Sequence, residues 1–172
     1  DKTWVAPNGS TLWMSYLDRD DDVMRYQGQA FNWIGFDELT QWPTPYAWNY
    51  MRSRLRATKA SGLPLYMRAT SNPGGPGHQW VKKTFIDPNT PNKAFWATDE
   101  NGETIRWPVG HSRENEPLFK RKFIPATLFD NPYLSEDGMY EANLLSLPEH
   151  QRRQLLEGDW DINEGAAFPE FN

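Results

Sequence analysis

The sequence contains no cysteine. Disulfide bonds and thiolate metal sites are therefore excluded, and the composition is compatible with a reducing compartment. Histidine is scarce as well, and His78, His111 and His150 are too scattered along the sequence to suggest a zinc cluster. Apolar runs are short, and none approaches the roughly 20 residues that a bilayer span requires. We expect no membrane-spanning segment and no membrane partner.

The chain also lacks an excess of positive charge. It has 18 Lys and Arg residues against 23 Asp and Glu residues, which gives a formal net charge of -5. A protein that coats nucleic acid passively is normally basic, so this balance argues against that class. Local basic clusters occur in "MRSRLRATK", "WVKK" and "FKRKF". They could contact phosphates, but such clusters are more typical of a solvated helix face or rim.

Aromatic residues, in contrast, are abundant. They make up 15% of the 172 residues, and nine of them are tryptophans, while the mean hydropathy is only -0.81. This combination is typical of a soluble protein with large anchoring side chains. A chain of this length can bury about 68–70% of the surface that its unfolded form exposes. We therefore expect one domain, or one domain with an appendage.

Apolar runs and well-punctuated polar segments alternate along the first half of the chain, which predicts an α/β fold. "FNWIGF" (31–36) and "LPLYMRATS" (63–71) are typical of strands. Between them, a helix is predicted to begin at Thr44 and Pro45 and to end before Gly62. This spacing is the βαβ pattern of a mainly parallel sheet with flanking helices. The first strand is apolar on both faces, which predicts a buried, central position.

The pattern changes after Pro88. "KAFWATDENGETIRWPVG" predicts a β-hairpin around "DENG", and the following "FKRKFIPATLFDNPYL" is extended. Two short helices are then expected, one beginning near Ser135 and ending before Pro148, the other closing at Gly158. This second region therefore combines a β-hairpin with a small helical connector.

Two adjacent acids, Asp37 and Glu38, follow the first of these strands directly. At the carboxyl end of a parallel strand, side chains emerge into the crevice where α/β sheets bind ligands. A carboxylate there can hold Mg²⁺, because hard cations prefer oxygen ligands, and a second carboxylate can orient and deprotonate a water molecule. Phosphoryl transfer needs both tasks. "IGFDE" therefore has the residues expected of a Walker B segment.

The next predicted strand ends in Thr70, Ser71 and Asn72, before the glycine-rich turn "NPGGPG". In nucleoside triphosphatases of this layout, the corresponding strand presents a polar residue towards the γ-phosphate and the attacking water. The two motifs lie one βαβ crossover apart, and together they predict a nucleotide site more strongly than either does alone. The simpler interpretation is that each is an ordinary exposed turn after a strand.

Two other classes of function remain open at this point. Asp37 and Glu38, with Asp130 as a third acid, could form a two-metal nuclease site, although Asp130 belongs to a different region of the chain. Alternatively, the tryptophan-rich hairpin could make the chain a non-enzymatic docking module for an assembly protein. Arg52, Arg54 and Arg56 suggest an arginine finger or a DNA contact, but a solvated helix flank is the favoured interpretation.

The residues also carry a resemblance to a known family. "YQGQAFNWIGFDELTQW", followed by "RATSNPGGPGHQW", resembles the ATPase half of tailed-phage large terminase subunits, and "RKFIPATLFDNPYL" through "LPEHQRRQLLEGDWD" is similar to the segment that joins this ATPase to a nuclease domain. The resemblance implies a partial P-loop NTPase fold of the ASCE type. It also implies that Asp37 acts on Mg²⁺, that Glu38 is the catalytic carboxylate, and that Thr70, Ser71 and Asn72 form the nucleotide-coupling motif.

The same resemblance implies cofactors, partners and a location. The cofactors would be ATP and Mg²⁺. The partners would be double-stranded DNA, the portal protein, the small terminase subunit and further copies of the large subunit in a ring. The protein would act in the host cell cytoplasm, transiently at the procapsid portal.

The sequence departs from the family pattern in one respect. It contains no phosphate-binding loop ending in Gly-Lys-Ser/Thr, and "NPGGPG" lies on the wrong side of the acidic pair to replace it. We therefore expect an internal fragment. Residues 1–88 would be the carboxyl part of the ATPase core, residues 89–160 a hairpin and helical linker, and residues 161–172 the start of a nuclease domain. Hydrolysis by this piece alone is expected to be weak or absent.

Overall fold

The computed structural model describes residues 2–135 and 138–162. Within these residues the chain forms two compact units. The first comprises residues 2–35 and Pro45–Arg68, and the second comprises Phe36–Thr44 together with the described residues from Ala69 onward. The predicted start of a nuclease domain at 161–172 lies outside the described residues, apart from positions 161 and 162.

Strands and helices are mixed along the chain, as the sequence predicts for an α/β protein. The strands of the described residues are β1 (Lys2–Val5), β2 (Thr11–Met14), β3 (Trp33–Phe36), β4 (Tyr66–Ala69), β5 (Ala94–Trp96) and β6 (Lys120–Lys122). The α-helices are α1 (Tyr46–Arg52), α2 (His78–Val81), α3 (Pro132–Ser135), α4 (Met139–Leu145) and α5 (Glu149–Leu156). The 3-10 helices are Asp20–Tyr26, Leu39–Gln41, Lys59–Ser61 and Leu128–Asp130, and a π-helix (Lys82–Ile86) continues α2. None of the helices in this part of the chain is long and apolar enough to cross a membrane.

The strands pair into three two-stranded sheets, β1–β2, β3–β4 and β5–β6. The first and third sheets are antiparallel. In the β3–β4 sheet the amide of Tyr66 donates to the carbonyl of Asn32, and the amide of Thr70 donates to the carbonyl of Phe36. Both partners therefore advance in the same direction, and α1 lies in the connection between the two strands. Residues 2–135 and 138–162 show no larger parallel sheet, so the predicted P-loop-like sheet is not confirmed.

Strand β3 is less buried than its sequence predicts. Of its four residues only Ile34 is buried, and Trp33 is 39% exposed. The prediction of a strand covered on both faces is therefore wrong for the described structure. Its apolar run predicted strand neighbours on both sides, but among the described strands β3 pairs with β4 alone.

The core of the first unit forms between α1 and the 3-10 helix Asp20–Tyr26. Val23 and Ala47 are completely buried at this contact, and Trp48 and Met51 are at most 8% exposed. Trp48 and Met51 stand three residues apart, and thus share one buried face of the helix.

Helix α1 nevertheless ends nine residues earlier than predicted, at Arg52 instead of just before Gly62. Phe31 is the reason. Its amide donates to the carbonyl of Arg54 and its carbonyl accepts from the amide of Arg56, at 2.9 and 3.0 Å, which makes a parallel bridge to Leu55. These bonds use backbone groups that the helix would need, so the chain leaves the helical conformation there. Residues 59–61 form a separate 3-10 turn that closes at Gly62.

The second unit contains the predicted hairpin and the two predicted short helices. The amide of Asp99 donates to the carbonyl of Glu103, which closes the turn around "DENG". Strand β5, which precedes this turn, pairs with β6 further along the chain. Helices α4 and α5 pack together, and a leucine cluster covers their contact; it consists of Leu128, Leu144 and Leu156, with Leu147 packed against it.

Candidate functional site

The two adjacent acids lie directly after β3, and Thr70, directly after β4, is bonded to both. Its hydroxyl donates a hydrogen bond to Oδ1 of Asp37 and accepts one from the amide of Glu38, with an N···O distance of 3.1 Å. The Thr70 amide donates to the carbonyl of Phe36 at 3.0 Å, and its carbonyl accepts from the amide of Leu39 at 2.9 Å. Thr70 is thus hydrogen-bonded to four consecutive residues of the acidic segment.

Glu38 has a backbone conformation that is rare for a residue with a side chain. Its φ is 49° and its ψ is 60°, in the left-handed helical region. This conformation costs a non-glycine residue about 1–2 kcal/mol. Strain of this kind persists where surrounding contacts hold it, and it is concentrated at functional sites. Here the bond from the Glu38 amide to the Thr70 hydroxyl is one such contact.

Ser71 and Asn72 bind the same segment through Thr40. The Thr40 side chain is 3% exposed. Its hydroxyl donates to the carbonyl of Asn72 at 3.0 Å, and its amide donates to the hydroxyl of Ser71 at 3.2 Å. The structure therefore brings the five predicted site residues into one hydrogen-bonded region.

Two tryptophans and a glycine close the base of this region. The amide of Gly77 donates to the carbonyl of Thr40 at 2.7 Å, and the indole nitrogen of Trp80 donates to the carbonyl of Trp42 at 2.6 Å. A Cβ atom on Gly77 would lie 2.1 Å from the carbonyl oxygen of Trp42. Only glycine permits this close approach of the two backbones, because any side chain would overlap that oxygen.

The glycine-rich turn continues from Asn72 and is fixed by His78. Gly74 and Gly75 both have positive φ, at 97° and 79°. The amide of Gly74 donates to Nδ1 of His78 at 2.8 Å, and the His78 side chain is 7% exposed. His78 is also the first residue of α2.

A cavity of about 190 Å³ opens beside Glu38. It is lined by Glu38, Thr40, Gln41, Asn72, Pro73, Gly74, Gly75 and Leu155. Pockets for whole small-molecule ligands usually measure about 300–1,000 Å³. This cavity is therefore smaller than a typical pocket for a whole small-molecule ligand.

The donor groups at this site fit a hard cation. Asp37 and Thr70 are exposed and present a carboxylate and a hydroxyl oxygen to each other. Mg²⁺ takes oxygen ligands, and proteins commonly hold it through one or two carboxylates while it keeps waters and binds substrate phosphates. One aspartate with a neighbouring hydroxyl is consistent with that mode of binding. Asp37 is the residue that would hold the ion.

Asp130, the third acid of the alternative nuclease site, has a local structural contact. Its Oδ2 accepts hydrogen bonds from the amide of Thr127 at 2.6 Å and from the Thr127 hydroxyl at 2.9 Å. These bonds stabilise the charged carboxylate and lower the pKa of Asp130 below its usual range. Among the described residues no group of three or more His, Asp or Glu side chains could hold a metal ion.

The candidate arginines are engaged within the first unit. Arg54 donates to the hydroxyl of Ser53 and lies over the ring of Tyr50, 5.1 Å from its centroid. Arg56 donates to the carbonyl of Gln29 at 2.5 Å. Burial lowers the pKa of Arg52 below its usual range. These contacts favour a structural role for Arg54 and Arg56.

Sequence reasoning missed four residues of this region: Thr40, Gly77, His78 and Trp80. Each contacts a residue that is distant in the sequence, so a local pattern carried little information about it. One signal was available, because "GHQW" follows the glycine-rich turn directly. A glycine, a buried imidazole and an indole in that position indicate a turn that packs tightly against another segment.

The comparison with known proteins gives one match. The family model described as terminase large subunit, T4likevirus-type, N-terminal, matches residues 1–172. No curated protein and no solved structure gives a match. Because the family model covers all 172 residues, the chain belongs to the phage terminase large subunits, and specifically to this N-terminal family of the T4-like type. The predicted resemblance to large terminase subunits is thereby confirmed, and membership is consistent with phage DNA packaging.

Proposed function

We propose that this chain carries the hydrolytic carboxylates of an ATP-driven motor that packages double-stranded DNA into a phage procapsid. The observation that supports this most directly is the Thr70 hydroxyl, which is bonded to both Asp37 and Glu38 at the end of β3. Ordinary exposed turns need no such link between two strand ends. Family membership supports the same function.

The two acids have different roles in this proposal. Glu38 lines the cavity and accepts a proton from the attacking water, while Asp37, next to the Thr70 hydroxyl, holds Mg²⁺. When bound, the ion supplies charge neutralisation at the phosphates. The left-handed backbone at Glu38 turns its side chain away from the direction that β3 would otherwise impose, and Thr70 stabilises that turn.

Thr70, Ser71 and Asn72 would couple hydrolysis to movement. Through Thr70 and Thr40 they are bonded to every residue from Phe36 to Thr40. A displacement of the acids on phosphate release would therefore also move the end of β4 and the glycine-rich turn. Asn72 lines the cavity itself and can contact the γ-phosphate or the water.

A phosphate-binding loop must come from additional sequence in this proposal, because no Gly-Lys-Ser/Thr motif occurs in the 172 residues. Residues 1–88 then contribute the carboxyl part of a P-loop NTPase core, residues 89–160 the linker, and residues 161–172 the start of a nuclease domain. Most nucleotide binding energy comes from the phosphate-binding loop and its lysine, so the chain alone hydrolyses ATP weakly or not at all.

The remaining partners follow from the motor function. The motor moves double-stranded DNA, docks on the portal protein as a ring of large subunits, and receives DNA from the small terminase subunit. It works in the host cell cytoplasm while bound to the procapsid.

The test compares this chain with a version that is extended by a phosphate-binding loop segment from a terminase large subunit. Mg²⁺-dependent release of phosphate from ATP is measured for both. We expect activity in the extended protein, loss of at least about 100-fold with Glu38→Gln, and a higher Mg²⁺ requirement with Asp37→Asn. Glu100→Gln is the matched control, because it removes the same charge at an exposed position outside the cavity lining.

Two results would contradict the proposal. Extended protein with a folded circular dichroism spectrum but no ATP hydrolysis would refute the ATPase function. Metal-dependent cleavage of DNA by the 172-residue chain, abolished by Asp37→Asn, would support the nuclease alternative instead. Portal binding that survives replacement of both acids by alanine would show that docking is independent of them.

A further inference from the structure

His78 holds the glycine-rich wall of the cavity through one specific atom. Its Nδ1 accepts the hydrogen bond from the Gly74 amide, so Nδ1 carries no proton and the neutral ring has its proton on Nε2. The Nε2 atom is buried and has no hydrogen-bond partner among the described residues. The ring is therefore fixed by Gly74 and by packing, and not by a second polar contact.

The packing partner of His78 lies in the segment that follows α5. The imidazole stacks on the indole of Trp160, with 5.4 Å between ring centroids and 27° between ring planes. Trp160 is 8% exposed and also contacts the ring of Phe123 edge-on. One side chain thus joins the cavity wall to a tryptophan 82 positions further along the chain.

A second contact joins the same two segments. Lys82, in the π-helix that continues α2, forms ion pairs with Asp87 at 3.1 Å and with Asp161 at 3.0 Å. Hydrogen bonds to Asp161 and Asp87 raise the pKa of Lys82 above its usual range. Leu155 of α5 reaches the cavity lining. The first residue of α2 and the first residue of the π-helix that continues it therefore both contact the segment after α5.

We propose that His78 is a positioning residue that sets the glycine-rich wall of the cavity and links its position to Trp160. Gly74 has the conformational freedom of a glycine at φ 97°, so without an acceptor at Nδ1 the turn can adopt other conformations. Movement of the wall would tilt the His78 ring and so shift the segment after α5. The structural part of this inference stands alone, whereas its effect on catalysis rests on the proposed ATPase function.

Three substitutions of His78 distinguish the effect of the hydrogen-bond acceptor at Nδ1 from the effect of the ring that stacks on Trp160. His78→Asn keeps an acceptor close to the Nδ1 position and removes the ring. His78→Gln carries its acceptor one bond further out, near the Nε2 position. His78→Phe keeps the ring that stacks on Trp160 and removes the acceptor. We expect only the first variant to retain the bond to Gly74.

The first measurement is amide hydrogen exchange in the ¹⁵N-labelled 172-residue chain. We expect exchange at Gly74 to accelerate about tenfold in His78→Phe and His78→Gln, and to stay within about twofold of wild type in His78→Asn. The indole signal of Trp160 should shift in His78→Asn and change least in His78→Phe. The imidazole ¹⁵N spectrum of the wild type should show Nδ1 unprotonated and Nε2 protonated.

Unchanged exchange at Gly74 in His78→Gln, or equal acceleration in His78→Asn and His78→Gln, would overturn the positioning role. The comparison of these two polar variants decides the question even where His78→Phe does not fold. In the extended protein, His78→Gln should lower kcat about tenfold and His78→Asn should restore it. If Glu38→Gln has no effect there, the ATPase proposal fails, while the exchange results still report on His78.

Discussion

Replacement of Thr70 by valine tests the feature on which the candidate site depends most. Valine has nearly the shape of threonine, so the substitution removes the hydroxyl group and little else. Two hydrogen bonds disappear, one to the Asp37 carboxylate and one from the Glu38 amide. The backbone bonds of residue 70 to Phe36 and Leu39 do not involve the side chain and are expected to remain.

The magnitude follows from the chemistry of the two bonds and from their exposure. A neutral hydrogen bond contributes about 0.5–1.5 kcal/mol, and a bond to a charged acceptor about 1.5–3 kcal/mol. Thr70, Asp37 and Glu38 are all exposed, and water therefore competes for both bonds. We place the combined loss at the low end, about 1–2 kcal/mol, which corresponds to roughly a 5- to 30-fold change in a local opening equilibrium.

Amide exchange at Glu38 measures this local equilibrium directly. Exchange in Thr70→Val should be about tenfold faster than in the wild type, because the Glu38 amide loses its acceptor and the left-handed backbone loses a support. Thr70→Ser is the matched control, since it keeps the hydroxyl and should exchange within about twofold of the wild type. Equal exchange rates in the wild type and Thr70→Val, or equal acceleration in the valine and serine variants, would refute this account of the site.

Three further predictions concern stability. Gly77→Ala should lower the free energy of unfolding by about 3 kcal/mol in urea titrations, because its Cβ would overlap the carbonyl of Trp42. Gly102→Ala is the control, because its Cβ would meet no atom within 4 Å. It should lower the free energy of unfolding by only roughly 1 kcal/mol, the cost of a positive φ for alanine. Equal losses in the two variants would contradict the overlap at Gly77. Backbone hydrogen bonds lower the pKa of Asp22 below its ordinary value of 3.8. The ionised Asp22 carboxylate therefore stabilises the helix Asp20–Tyr26 fully above pH 3.8, and this stabilisation is lost as pH falls through the lowered pKa. Titration of Asp22 with acid, followed by NMR, checks this, and an unshifted midpoint would contradict it. The raised pKa of Lys82 has the opposite consequence, because its ion pairs stabilise the fold below pH 10.5 and are lost as pH rises through the raised pKa. In thermal melts, Lys82→Met should abolish this dependence of the melting temperature on pH.

Start and stop signals in the local sequence explain why several helices and strands were predictable. The strand before Asp37, the start of α1 near Pro45, and the two short helices before Gly158 all carry signals within a few residues of their ends. The nearness of the acidic pair to the polar strand end was also predictable. It follows from the strand–helix–strand topology, which brings the ends of successive parallel strands to the same edge.

Contacts between distant residues explain what was missed. The early end of α1 depends on Phe31, which precedes the helix in the sequence. Its backbone forms hydrogen bonds with the carbonyl of Arg54 and the amide of Arg56. The exposure of Trp33 depends on how many strands flank β3, which no local pattern contains. The bond of His78 to Gly74 becomes visible only in three dimensions.

The left-handed backbone at Glu38 has a consequence for natural and laboratory evolution. Of the three non-glycine residues with positive φ in the described part of the chain, the other two, Asn92 and Asn115, are asparagines, the side chain that tolerates this conformation best. Substitution of Glu38 by asparagine or glycine should therefore make the fold more stable and, on the proposed function, inactive. A library sorted for stability alone would enrich these two residues at position 38, whereas a library sorted for packaging would remove them. The glutamate would then be retained only under selection for activity, at the expense of stability.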